Sequence, residues 1–151
     1  MHAQMLPRVV TKLLVPFIIV YALYVITHGE LGPGGGFQGG VIAAAAFILY
    51  GVIFGRDELL RRIPAPITDA LMAIGVLLYA GTGLANLLAG GRFLDYSQIN
   101  PHNPGDGEAM GMTLVEYGVG ITVCSVMITL FTQITERSDP DLDPVPDAAR
   151  R

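Results

Sequence analysis

The sequence predicts an all-α membrane protein with four transmembrane helices and both termini in the cytoplasm. Three observations predict it. The chain has 151 residues, 52% of them hydrophobic, and a mean hydropathy of +0.53, which is too apolar for a soluble domain of that size. Four apolar stretches each come near the ~20 residues that a bilayer core requires. Eight of the nine Lys and Arg residues fall in segments that four spans place on one side, the asymmetry that marks the cytoplasmic face.

The first span is expected over residues 9–27. Arg8 precedes it and Lys12 lies in its first turn, where a long basic side chain can reach the interface. Pro16 lies inside the run and removes a backbone hydrogen bond there. The chain continues into His28-Gly29-Glu30 with no Ala-x-Ala-like cleavage site, so this stretch reads as a retained span and not as a signal peptide.

The second span is expected over 37–55. Gly40, Ala44, Gly51 and Gly55 recur at steps of four, seven and four, which lines them on one face. Small residues on one face let helix backbones approach closely in lipid. Residues 56–66 read as a charged loop carrying Arg56, Arg61 and Arg62 and ending in Pro64-Ala65-Pro66. Thr68 or Asp69 is the expected cap of the third span, 67–90. That span shows Gly75, Tyr79, Thr82 and Asn86 at helical spacing.

Residues 91–109 form the longest expected connector, rich in Asn, Pro and Gly, with Arg92, Asp95, His102, Asp106 and Glu108. The fourth span, 110–134, carries a seam of small and hydroxyl-bearing residues: Gly111, Gly118, Thr122, Ser125, Thr129 and Thr132. Facing protein, such a seam permits close packing and interhelical hydrogen bonds. Residues 1–137 therefore read as one transmembrane domain. Residues 138–151 read as a disordered tail, with Asp139, Asp141, Asp143 and Asp147 among Pro140, Pro144 and Pro146.

Small-residue faces on three helices and a polar seam on the fourth imply packing against other chains, hence a subunit of a larger complex. The alternative is that all the seams meet within one bundle. Net charge is −4 with no basic patch, which argues against nucleic acid as a partner. Cys124 is the only cysteine, so neither an internal disulfide nor a cysteine metal cluster is available. No metal site, cofactor motif or nucleophile–base pair is predicted, and an enzyme is not expected.

Between the first two spans lies Gly32-Pro33-Gly34-Gly35-Gly36-Phe37-Gln38-Gly39-Gly40. Glycine at this density marks backbone that must approach something closely. It is not a phosphate loop, because the closing Lys-[Ser/Thr] is absent. Glu116 is the acid well inside a predicted span, about six residues, or roughly 9 Å, from its outer end. A carboxylate at that depth is costly and is a functional candidate by default. It can bind a cation, relay a proton or pair with a neighbouring base; the alternative is a structural carboxylate hydrogen-bonded to another helix. His28 and Glu30 are expected at the same mouth, where a His and two acids can form a proton or cation vestibule.

Two segments carry a family resemblance. His28-Gly29 followed by Pro33-Gly34-Gly35-Gly36-Phe37-Gln38-Gly39-Gly40-Val41-Ile42 is one. Gly111 through Val123, containing Leu114-Val115-Glu116-Tyr117-Gly118-Val119-Gly120, is the other. Together they resemble the B subunit of Mrp-type multisubunit cation/proton antiporters, the MnhB family. The resemblance covers all four spans. It implies a subunit of a seven-component assembly in a bacterial or archaeal cytoplasmic membrane, exchanging sodium for protons and related to the membrane arm of respiratory complex I. It implies the other antiporter subunits as partners, and Pro33, Phe37 and Glu116 as positions that matter. Two further readings stand beside it: a membrane-anchor subunit of a related hydrogenase or redox complex, and a self-sufficient four-helix transporter.

Overall fold

The computed structural model describes residues 5–29, 34–96 and 102–137. Glu30, Pro33 and the expected tail 138–151 lie outside the described residues. The described residues form helices and no strand: α1 (Met5–Thr27), α2 (Gly36–Phe54), α3 (Arg56–Arg62), α4 (Ala65–Leu88) and α5 (Pro104–Arg137). Among them α1, α2, α4 and α5 are long and apolar enough to cross a membrane.

The four spans do not close into a bundle. α1 packs on α2, α2 on α5 and α5 on α4, while α1 touches α5 over a short stretch only. The result is an open row in the order α1, α2, α5, α4. Only 17–28% of each span's apolar stretch is buried inside the chain, so most of that surface faces lipid or other chains.

Glycine sets the spacing of the row. A side chain at Gly40 would lie 2.7 Å from the Gly120 carbonyl oxygen, and one at Gly39 would run into Ile26 and the Ala22 carbonyl. α2 thus approaches α5 and α1 through adjacent glycines. On α5, Gly120 faces α2 whereas Gly118 faces Gly75 and Tyr79 of α4. Two residues along a helix turn about 200°, so α5 uses opposite sides for its two neighbours. Gly40, Gly75 and Gly118 are met within the chain, whereas Gly55 and Gly81 face open space, so internal contacts use part of the small faces and leave room for packing against other chains.

Several boundaries differ from expectation. The segment 56–66 contains α3. Asp57 and Glu58 in its first turn and Arg61 and Arg62 in its last complement the helix dipole. Glu58 pairs with both arginines, 3.4 Å to Arg61 and 3.3 Å to Arg62. Leu59 is 1% exposed and packs beside Gly51. Gly55 ends α2 and begins α3 at φ +98°, which favours glycine.

Neither Thr68 nor Asp69 caps α4. Pro64 occupies the cap position, and the Thr68 hydroxyl donates to the Ala65 carbonyl inside the first turn. Pro66 lies in the first turn, for which proline's fixed φ is preset. α5 begins at Pro104 and not near 110; its polar first turns include Asp106, whose carboxylate accepts from the Asn103 side chain at 2.7 Å. Low hydropathy hid a helix whose acid sits where the dipole favours it.

One end of the row is tied by charge. The Arg56 guanidinium donates to the Glu136 carboxylate at 2.8 Å and to the Thr132 carbonyl at 3.0 Å. Arg8 and Lys12 lie over the Phe54 ring. The first turns of α1, the α2–α3 junction and the last turns of α5 therefore share this end.

Candidate functional site

At the other end, α1 closes on itself. The Thr27 hydroxyl donates to the Leu23 and Tyr24 carbonyls, and the His28 N–H donates to the Tyr24 carbonyl. The chain returns at Gly34–Gly35, where the Gly35 N–H donates to the Val25 carbonyl at 3.2 Å. Gly35 has φ +133°, a conformation that side chains oppose. α2 then begins at Gly36, directly against the backbone of Glu116 in α5; any Cβ at Gly36 would overlap the Glu116 carbonyl.

The Glu116 side chain reaches back into this turn. A Cβ at Gly29 would collide with its carboxylate, and one at Gly35 would lie 3.3 Å from its Oε1. The carboxylate is thus walled by glycine from both strands of the α1–α2 turn. Beside it opens a recess of about 310 Å³ lined by Gly34, Gly35, Gly36, Phe37, Gln38, Val115, Glu116 and Val119. Glu116 is half-buried, while Phe37 and Gln38 at the rim are exposed. A carboxylate in such a place can exchange a proton, or hold a small cation that enters with some of its water.

The residues expected from sequence are partly brought together. Glu116, Gly34, Gly35, Gly36 and Phe37 share the recess, and Gly39 and Gly40 carry the helix contacts below it. His28 is exposed and stacks on Tyr24, ring centroids 4.7 Å apart. The contact with Glu116 is made by the backbone of its neighbour, Gly29. Gly29 carried no expectation of its own, although its place between His28 and an acid was visible. Gly120 was likewise overlooked as the counterpart of Gly36 and Gly40; its separation from Gly118 by two residues was the available signal.

The α5 seam behaves differently from expectation. Gly118 does pack on α4, but the hydroxyls bond within their own helix. Thr122 donates to Gly118, Ser125 to Ile121 and Thr132 to Thr129. The Thr129 hydroxyl oxygen is buried with no hydrogen-bond partner. Thr122, Ser125 and Thr132 therefore direct their hydroxyl protons one turn back along α5 and not to a neighbouring helix.

Residues 6–129 match the sequence model of a family described as a domain related to the MnhB subunit of Na+/H+ antiporter. Among curated proteins, the chain is 34% identical to the antiporter subunit mnhB2 of Staphylococcus haemolyticus strain JCSC1435, over 85% of this chain and 92% of that one. It is 34% identical to the mnhB2 protein of Staphylococcus epidermidis strain RP62A, over 83% and 90% respectively. It is 33% identical to that of Staphylococcus aureus strain Newman, over 85% and 92%. The glycine turn and Glu116 fall inside the matched region, as do most of the spans. With its four membrane-length helices, this chain belongs to the MnhB family of multi-pass membrane proteins.

Proposed function

We propose that the chain is a subunit of a multisubunit Na+/H+ antiporter in the bacterial cytoplasmic membrane. The observation that carries this reading is the family match over 6–129, supported by relatives named antiporter subunits across most of both chains. Its partners are the other antiporter subunits, its ions Na+ and H+, and its medium the bilayer. The role is transport and not catalysis. Neither the redox-anchor reading nor the self-sufficient transporter is favoured by these relatives. The positive-residue asymmetry supports both termini in the cytoplasm and the glycine turn outside.

Within that subunit, Glu116 is the proposed ion-handling group. Its half-buried carboxylate, the glycine walls and the adjoining recess support the reading. His28 adds a titratable side chain at the same end, one residue from the wall of the carboxylate. Pro33 and Phe37 are proposed to hold the turn.

The reading is tested in everted vesicles from cells expressing the antiporter with and without this chain. Na+-dependent proton exchange is expected to disappear without it and to return on complementation. Liposomes holding this chain alone are expected to show no exchange. Exchange by the chain alone would contradict the subunit reading.

A further inference from the structure

The charged end of the row carries a group of cations that the antiport reading does not use. Tyr50 and Phe54, one turn apart on α2, stack with ring centroids 4.5 Å apart. Three cations from two other helices rest on this pair. Arg8 and Lys12 of α1 lie 5.7 and 5.5 Å from the centre of the Phe54 ring, and Arg62 of α3 lies 5.2 Å from that of Tyr50. All are within the ~6 Å at which a cation is attracted to a ring face.

Their charges are unevenly balanced. Arg62 shares Glu58 with Arg61. Among the described residues, Arg8 and Lys12 have no carboxylate partner. They stand one turn apart, where like charges repel, in the first turns of α1, where the helix dipole disfavours cations. The two are held on one ring, an arrangement that an anion would complete.

The depth identifies the anion. Arg8 and Lys12 open a membrane span, and their neighbours Val9 and Leu13 are exposed apolar side chains. An anion here has water on one side and an apolar helix surface on the other. A phospholipid offers both parts, with its phosphate at the cations and its acyl chains along α1. Basic pockets at the ends of membrane helices bind anionic headgroups on this principle. We propose that Arg8 and Lys12, set on the Phe54 ring, seat the phosphate of an anionic phospholipid.

The test is native mass spectrometry of the full-length chain in detergent, titrated with phosphatidylglycerol or with phosphatidylcholine of the same acyl chains. At roughly fivefold per basic residue, the pair gives an expected preference of about 25-fold for the anionic lipid. Arg8→Gln with Lys12→Gln is expected to abolish it. The exchange Arg8→Lys with Lys12→Arg is expected to keep it, as is Arg92→Gln at the far end. Equal binding of the two lipids, or a preference that survives the double glutamine variant, would overturn the proposal. So would displacement of the lipid by millimolar inorganic phosphate, which would mark a free-anion site. A preference present in the isolated chain but absent from the assembled complex would also overturn it, because a partner's acidic segment would then hold the cations.

Discussion

The two ends of the row are built from opposite materials. Around Glu116 the chain closes through missing side chains, with Gly29, Gly35 and Gly36 letting backbone meet carboxylate and backbone. At the other end it closes through long side chains, with Arg56 reaching Glu136 and Thr132 while Arg8, Lys12 and Arg62 lie on aromatic rings. At Gly36 the first kind of joint has no slack, because the atoms it meets are backbone and cannot move aside. The second tolerates change, because charged side chains re-pair and solvate. A joint without slack suits a place where one carboxylate must keep its position.

That contrast is broken most severely at Gly36. Gly36→Ala puts a methyl group onto the Glu116 carbonyl, and overpacking against backbone costs about 3 kcal/mol or more. Little folded protein is expected, as read by the yield and thermal melt of the purified chain. Near-normal stability would show that α2 and α5 can separate freely.

At the charged end the expected loss is smaller. Arg56→Ala removes two charge-assisted hydrogen bonds, one of them on the Thr132 carbonyl near the end of α5. About 1–3 kcal/mol is expected, because the site is only partly screened from water. Arg56→Lys should recover part of it. An unchanged melt in both variants would remove Arg56 from the account.

Gly29→Ala sharpens the comparison within the glycine end. Its methyl group meets the tip of a flexible side chain and not backbone. Stability is expected to fall by less than about 1 kcal/mol, while the Glu116 carboxylate is pushed from its place. In assembled complexes, the pH profile of exchange should shift although the fold survives. An unchanged profile would mean that the carboxylate has no fixed position to lose.

The smallest effect belongs to Glu58. The hydrogen bond from Arg61, with Arg62 adding to it, holds this carboxyl below its ordinary value of 4.5 against the opposing effect of burial. A lowered folded value stabilises at pH above the ordinary one, and that contribution is lost as pH falls through the folded value. Glu58→Gln should therefore melt slightly earlier than wild type at pH 7, with the gap closing as pH falls below 4.5 and through the folded value. A gap that does not narrow on acidification would assign the effect to packing.

The four spans were legible because lipid imposes a length and a composition that sequence displays directly. The small faces were legible in part: Gly40, Ala44, Gly51 and Gly75 are buried as their spacing implied, whereas Gly55, expected on the same face, is the exposed end of α2 with nothing packed on it. Which face meets which was not, because Gly118 and Gly120 look alike in sequence and serve opposite neighbours. α3 and the first turns of α5 were hidden for another reason. Their helicity rests on charge–dipole complementarity and local ion pairs, to which a hydropathy pattern is blind. Glu116 was found by its cost in the membrane. The glycine at 29 that walls it was not, since a close approach leaves no mark beyond the residue that permits it.

Glu116, walled by glycine backbone, is the proposed ion-handling group. That role is tested most directly by Glu116→Gln in everted vesicles, with assembly of the whole antiporter checked in the same membranes. An assembled complex is expected whose Na+-dependent proton exchange is lost or displaced along the pH axis. Full exchange with an unchanged pH profile from an assembled complex would contradict it, and would leave the carboxylate as a packing group beneath the glycine turn.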